Sequence, residues 1–506
     1  MARTAATALT AVTTRSNEGR AVTDHPLIPL EKQARPSRAP RGRVVAAAAA
    51  VLLLAGCATF SPDGGFAPVE QTARDALGKE LRWTRHADDL NGARRRVGEL
   101  LAEPLTVDGA VQIALLNNRG LQASFQELGL AEADLVQASR LPNPGFSITR
   151  LRSGDEREIE RLFSFDLGHL LALPLARQVE SRRFAAVQRS VTMEMLALAT
   201  DTRKAWFDAV AADETLRYMQ QVKRAADAGA ELARRMAEVG NFNKLQQARE
   251  HGFYADAVLR LARALQAQVA ARERLTRLLG LWGDETRFEL PERLPALPQE
   301  PADRPDIEQL AMARRLDVQS ATLQAEATAK NLGLSRVTRF VNVLELGYEH
   351  NTSNEGPRQT GYEIAVEIPL FDWSGARVAK AEAIYMQSVQ RAAQVAVEAR
   401  SEVREAYTGY RSAWDIARHY RDDIVPTARR ISEENVLRYN GMFIGVFDLL
   451  ADARAQIASV NASIEALRDF WIAQADLDMA LMGRTRLSAM SAATPAPAAG
   501  DGGAAH

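Results

Sequence analysis

Residues 375–440 read GARVAKAEAIYMQSVQRAAQVAVEARSEVREAYTGYRSAWDIARHYRDDIVPTARRISEENVLRYN. Taken as one helix, roughly 66 residues would be about 99 Å long at 1.5 Å per residue. Ordinary globular helices run about 8–20 residues. A helix of this length must pack along partners of similar length, in a coiled coil or a barrel of helices. Phe371-Asp372-Trp373-Ser374 precedes it, and Asn440-Gly441 follows, with Gly441 suited to a left-handed position after the last turn. Gly445-Val446-Phe447-Asp448-Leu449-Leu450 then opens a return helix that reaches about Met482. The second half of the chain is therefore a long helical hairpin.

The first half carries the same pattern. Apolar residues at steps of three and four predict a helix over Leu105–Arg140, and Leu141-Pro142-Asn143-Pro144 ends it. Two strands follow, Gly145–Leu151 and Leu162–Leu167, around a charged loop at Ser153–Glu160. A long helix is expected from Pro174 to Val239, then a turn at Gly240-Asn241-Phe242-Asn243 and a return helix to Leu279. In the second copy a helix at Ile307–Arg336 leads to strands Phe340–Glu349 and Tyr362–Pro369 around a polar loop, Asn351–Gly361. Gln122 and Gln319 differ by 197, while Arg203 and Arg404, and Gly240 and Gly441, differ by 201. The order helix, strand, strand, long helix, turn, return helix is duplicated.

The strands have unlike faces. Tyr362, Ile364, Val366 and Ile368 alternate with Glu363, Ala365 and Glu367. An apolar face opposite a charged one is the pattern of a membrane barrel, with lipid on the apolar side. Four strands cannot close, and lipid does not tolerate open edges, so several protomers must share a barrel.

The chain divides into residues 1–56, an N-terminal extension and signal peptide; 57–104, a lead; 105–290, the first repeat; 291–306, a Pro-rich linker; 307–484, the second repeat; and 485–506, a tail rich in Ala, Pro and Gly that is expected to be disordered. Within the first region, basic residues precede an apolar run from Val44 to Leu54, the layout of a secretory signal. Leu54-Ala55-Gly56-Cys57 resembles the bacterial lipobox, which implies cleavage before Cys57, the only cysteine, and lipidation of its sulfur. Ala58 follows, which by the same analogy fits export to the outer membrane.

Formal net charge is −1, with eight basic and three acidic residues among the first 43, so the rest is mildly acidic. That argues against nucleic acid as the main partner. The seven histidines show no ligand spacing, and there is no phosphate loop or nucleophile elbow. The sequence calls for no catalysis, cofactor or metal.

In order along the chain, Leu141-Pro142-Asn143-Pro144, Leu278-Leu279-Gly280, Ile368 to Gly375, and Tyr439-Asn440-Gly441 through Leu450 resemble TolC-type outer membrane efflux proteins. The resemblance spans roughly residues 100–484 and points to the lipoprotein branch that serves resistance–nodulation–division pumps. It implies a homotrimer, mainly α, with a 12-stranded β-barrel in the outer membrane and a 12-helix periplasmic tunnel. It also implies docking to a periplasmic adaptor and an inner-membrane transporter. By the resemblance, Gly240 and Gly441 mark the periplasmic tip turns, and Asp448, with Asp452 one helical turn on, would ring the pore. The first tip turn departs from this pattern: it looks about four residues shorter and has no aspartate. Two other readings use the same features, a periplasmic adaptor and a lipid-anchored coiled-coil scaffold without a pore.

Overall fold

The computed structural model describes residues 59–338, 343–367 and 373–484; the side chains of Val446, Phe447, Asp448, Leu450 and Ala451 also lie outside the description. The signal region, Cys57, Ile368 and the 485–506 tail therefore fall outside the described residues. The segment before the first repeat forms short helices α1 (Ala67–Thr72) and α2 (Ala87–Leu101).

Each repeat opens with two helices where the sequence suggests one. In the first, α3 (Val107–Asn117) and α4 (Arg119–Ala138) meet at Asn118; in the second, α7 (Ile307–Arg314) and α8 (Leu316–Val337) meet at Arg315. Asn118 (φ −67°, ψ 118°) and Arg315 (φ −60°, ψ 119°) have nearly the same extended backbone. They are 197 residues apart, the register read from Gln122 and Gln319. Apolar periodicity continues across both breaks, which is why the breaks are silent in it.

Strands β1 (Gly145–Ser153) and β2 (Glu156–Asp166) form a hairpin closed by Gly154-Asp155. The Ser153–Glu160 segment, expected as a loop, is mostly strand. Gly154 has φ +64°, and glycine at the first of two central turn residues is a favoured hairpin closure. The charges that suggested a loop stand on the exposed faces of a single-layered sheet. Strands β3 (Leu344–Ser353) and β4 (Gln359–Val366) form the second hairpin, which pairs through β3 with β2, so the antiparallel order is β1-β2-β3-β4. Asn354 ties the two hairpins at the turn end, accepting from Arg157 N–H at 2.6 Å and donating to Asp155 O at 3.0 Å.

Helix α5 (Leu167–Glu238) follows β2 without a loop and runs 72 residues. Asp166 Oδ1 accepts from His169 N–H at 2.8 Å and starts it. The start is therefore seven residues earlier than the expected Pro174, which is the eighth residue of the helix and has no N–H to give Leu170. Its return helix is α6 (Lys244–Leu279). The long helix of the second repeat is interrupted: α9 (Gly375–His419), a π turn at Tyr420–Ile424, then α10 (Val425–Asn440). Val425 N–H bonds Tyr420 O, five residues back, just before Pro426, which has no N–H to give. The π turn absorbs the proline without ending the helix. Helix α11 (Val446–Met482) returns.

Two cores sit near the β-proximal half of the hairpins. One gathers Phe125, Leu128, Met195, Trp206, Leu275 and Leu279; the other gathers Ile307, Val403, Tyr410, Trp414, Phe470 and Leu481. Phe207 stacks on Trp471 (5.5 Å, 17°) where they meet. The 291–306 linker is pinned across them. Trp471 and Trp414 donate to Pro295 O (3.0 Å) and Pro298 O (3.1 Å), and Ala302 N–H bonds Tyr410 Oη (3.0 Å). Trp206, Phe207 and Tyr407 are thus packing and bonding groups of this region. Toward the tip the hairpins thin out: α10 buries no residue, and Leu232, Val258, Leu259, Val436 and Leu437 are exposed.

Candidate functional site

The sheet separates charge by sign. Strand residues alternate between faces, and cross-strand partners share a face. The pairings Phe146–Phe163, Phe163–Tyr348 and Tyr348–Tyr362 lay four aromatic rings in one row. The ring centroids of Phe146–Phe163 and Tyr348–Tyr362 are 4.5 and 5.6 Å apart. The next row toward the helices is Phe165, Leu346 and Ile364, then Leu344 and Val366. Phe146, Ile148, Phe163, Tyr362, Ile364 and Val366 are each 51–82% exposed. The expected trio Tyr362, Ile364 and Val366 is therefore on one face.

The opposite face carries Glu156, Glu158, Glu160, Asp166, Glu345, Glu349 and Glu363, with Glu367 just beyond β4. Leu151, Leu162 and Ala365 are its apolar exceptions, and a Cβ on Gly347 would meet Leu162 and Glu363 there. No lysine or arginine of the four strands shares that face: Arg150, Arg152, Arg157 and Arg161 all stand on the aromatic side.

At the far end of the hairpins, the first tip turn follows a Schellman pattern. Gly240 is left-handed (φ +79°), Gly240 N–H bonds Ala237 O (3.1 Å), and Asn241 N–H bonds Met236 O (2.8 Å). The second turn repeats these bonds one residue later than expected. Met442 N–H bonds Tyr439 O (3.0 Å), Phe443 N–H bonds Arg438 O (2.9 Å), and Met442 is the left-handed residue (φ +60°). Gly441 is right-handed (φ −80°), which corrects the expectation for it. A Cβ there would lie 2.8 Å from the ring of exposed Phe443, which would have to move aside.

With Gly240 matched to Met442, each return helix starts four residues later, at Lys244 and Val446. The first turn is thus not about four residues shorter; even counted from glycine to glycine the two differ by one residue. Asp448 falls on the third residue of α11, opposite Gln246 of α6, and its side chain lies outside the described residues. Gln246 forms a reciprocal cap with Asn243 (2.8 and 2.9 Å). Asp452 does not stand free: Asn435 of α10 donates to its Oδ2 across the hairpin.

Two ionic sites escaped the sequence reading. Arg315 is 1% exposed, 2.6 Å from Asp317 and 2.7 Å from Glu402, and donates to Ala480 O at 3.1 Å. Burial works against its charge, but hydrogen bonds from its guanidinium to Asp317 and Glu402 outweigh that and raise its pKa. Its counterpart Asn118 donates to Leu278 O (2.9 Å). Both residues therefore tie a repeat's opening break to the end of its return helix, by different chemistry. The 197-residue register was the available signal. The second site is Glu250 with Arg454, near the tip. Among the described residues no cluster of His, Cys, Asp and Glu is built to hold a metal ion.

A search of solved structures finds this arrangement in known channels. The outer membrane channel CmeC of Campylobacter jejuni matches with a TM-score of 0.66 and 16% identity, over 74% of this chain and 85% of that one. The fold is that of TolC-type outer membrane efflux channels. MtrE of Neisseria gonorrhoeae, solved in its open state, shares this TolC-type fold with a TM-score of 0.63 at 17% identity, over 74% of this chain and 89% of that one. CusC, whose structures concern folding and transmembrane channel formation, matches with a TM-score of 0.62 at 19% identity, over 75% of this chain and 92% of that one. Among curated proteins, the cobalt-zinc-cadmium resistance protein CzcC of Cupriavidus metallidurans is 26% identical over 282 residues. That match covers 54% of this chain and 64% of the relative, less than two thirds of its length. No protein-family model matches the chain.

Proposed function

We propose that this chain is the outer membrane channel of a tripartite efflux system. It conducts passively from a periplasmic adaptor and an inner-membrane pump to the outside, without catalysis or a cofactor. The observation that carries this reading is the two-faced, four-stranded sheet with edges at β1 and β4, set on two long helical hairpins. An apolar exposed face fits lipid and an acidic one fits water. The free edges close only when copies join, so three copies give twelve strands. The exposed apolar residues of the lower hairpins fit the same assembly. Cys57 is the proposed lipid anchor, with the signal removed before it.

The cargo reading is cationic, with divalent metal ions as the first candidates. The face that would line the barrel carries carboxylates and no strand arginine or lysine, and such linings favour cations. The name of CzcC points to cobalt, zinc and cadmium for that relative. The test is conductance of the purified, full-length protein in a planar phosphatidylcholine bilayer. Discrete steps with cation preference are expected; no conductance from intact trimers would leave the pore-free scaffold.

A further inference from the structure

The four arginines on the aromatic face stand where lipid headgroups would be. We propose that Arg150, Arg152, Arg157 and Arg161 bind phosphate groups carried by glycolipids of the outer leaflet. The inference rests on the barrel reading of the sheet.

The arginines gather at the turn end of the first hairpin, away from the end where the helices leave. Arg152 and Arg157 are direct cross-strand partners beside the Gly154-Asp155 turn. Two like charges so placed repel, at Cβ separations of about 4.5–5.5 Å. Among the described residues none of the four arginines has an ion pair, and the carboxylates of these strands point from the other face. Arg152 Nε bonds only the turn carbonyl of Gly154, at 3.2 Å.

Depth agrees with charge. Phe146 of the aromatic row and Arg150 are on the same strand face, about 14 Å apart along the strand at 3.4 Å per residue. A strand tilt of about 35–45° reduces this to roughly 10–11 Å along the membrane normal. Aromatic girdles mark the edge of the hydrocarbon, and phosphates lie just beyond it. Arg161 is one row nearer the aromatics, and its guanidinium reaches Thr352 Oγ1 (3.4 Å), one row closer to the turn. That is the direction a snorkelling arginine takes. Guanidinium forks match phosphate oxygens in pairs, and four of them on one strand pair offer several contacts to a phosphorylated headgroup. The counter-charge that the sheet withholds is thus supplied by lipid.

The test uses full-length trimers in detergent and native mass spectrometry. The probes are a bis-phosphorylated glycolipid, the same lipid after phosphatase treatment, and inorganic phosphate. The wild type should retain the phosphorylated lipid, and the Arg150→Gln, Arg152→Gln, Arg157→Gln, Arg161→Gln variant should retain it about tenfold less. Equal retention by the variant overturns the proposal, as does equal retention of the dephosphorylated lipid. Displacement by inorganic phosphate at equal concentration would mean an anion site without lipid and also overturns it. If the fourfold variant fails to assemble, Arg152→Gln alone must lower retention, or the proposal falls. Conductance in a phosphatidylcholine bilayer is scored in parallel. A conducting wild type without lipid retention sinks this inference alone; a wild type that does not conduct sinks the channel reading.

Discussion

Glu250 of α6 is 2% exposed, and its Oε1 lies 3.1 Å from the guanidinium of Arg454 in α11. The pair joins the return helices of the two repeats close to the tip turns, and Arg454 also lies over the Phe253 ring at 4.3 Å. Removing one partner of a buried pair costs about 3–5 kcal/mol, because it strands the other charge. Arg454 is 37% exposed, so Arg454→Ala should cost less, about 2–3 kcal/mol. Thermal unfolding of the trimer should shift down accordingly, and Glu250→Gln should shift it less, since no bare carboxylate is left behind. Equal, negligible shifts for both variants would remove the pair from the tip's stability.

Met442 holds a left-handed backbone that costs a non-glycine residue about 1–2 kcal/mol. Met442→Gly should therefore raise the unfolding temperature. Gly441→Ala should lower it, although Gly441 is the residue that looks like the cap. The outcome that contradicts the shifted turn is the reverse order.

Burial raises the pKa of the Asp478 carboxyl, against the pull of Arg203 and Arg304. A carboxyl raised on folding adds stability below its unfolded pKa and loses it as pH rises through the folded value. At neutral pH the ionised form is thus a net cost. Asp478→Asn should raise the unfolding temperature at about pH 7.5, with the gain shrinking as pH falls toward 4. A gain that grows at low pH would contradict the sign.

Ile364 and Glu363 face opposite sides of β4. In lipid, cysteine at 363 should react with a water-soluble thiol reagent and cysteine at 364 should not. Ile364→Arg, one row inside the aromatic girdle, should destabilise the trimer by less than the about 2–4 kcal/mol of an arginine at the bilayer midplane. Equal labelling in both positions would rule out a lipid-facing row.

Asp448, once per protomer, is proposed to ring the pore. Replacing it with Ala or Asn should weaken cation preference, read as reversal potential under a salt gradient, while a helix-end charge contributes only about 0.3–1 kcal/mol to folding. Asp452 is held by Asn435, so Asp452→Ala should leave the preference intact and loosen the hairpin instead. If neither substitution at 448 changes the preference, the ring is elsewhere.

The sequence by itself determined the duplicated order of elements and the two faces of the strands. Both are periodic signals: steps of three and four for helices, steps of two for Phe146, Ile148, Tyr362, Ile364 and Val366. It also fixed the 197-residue register that Asn118 and Arg315 share. What it left open depends on contacts between residues far apart in the chain. Arg315 reads as a surface charge until Asp317, Glu402 and the Ala480 carbonyl close around it. The left-handed residue of the second tip turn is Met442 and not Gly441, because the closing bonds run from Met442 and Phe443 back to Tyr439 and Arg438, one residue later than the glycine suggests. Within β2 alone Glu156, Glu158, Glu160 and Asp166 already alternate with Arg157 and Arg161, but only pairing puts the arginines of β1 and the glutamates of β3 and β4 on the matching faces. Local preference chose the elements; the pairing of distant strands and helices decided which charges are buried, braced or left facing outward.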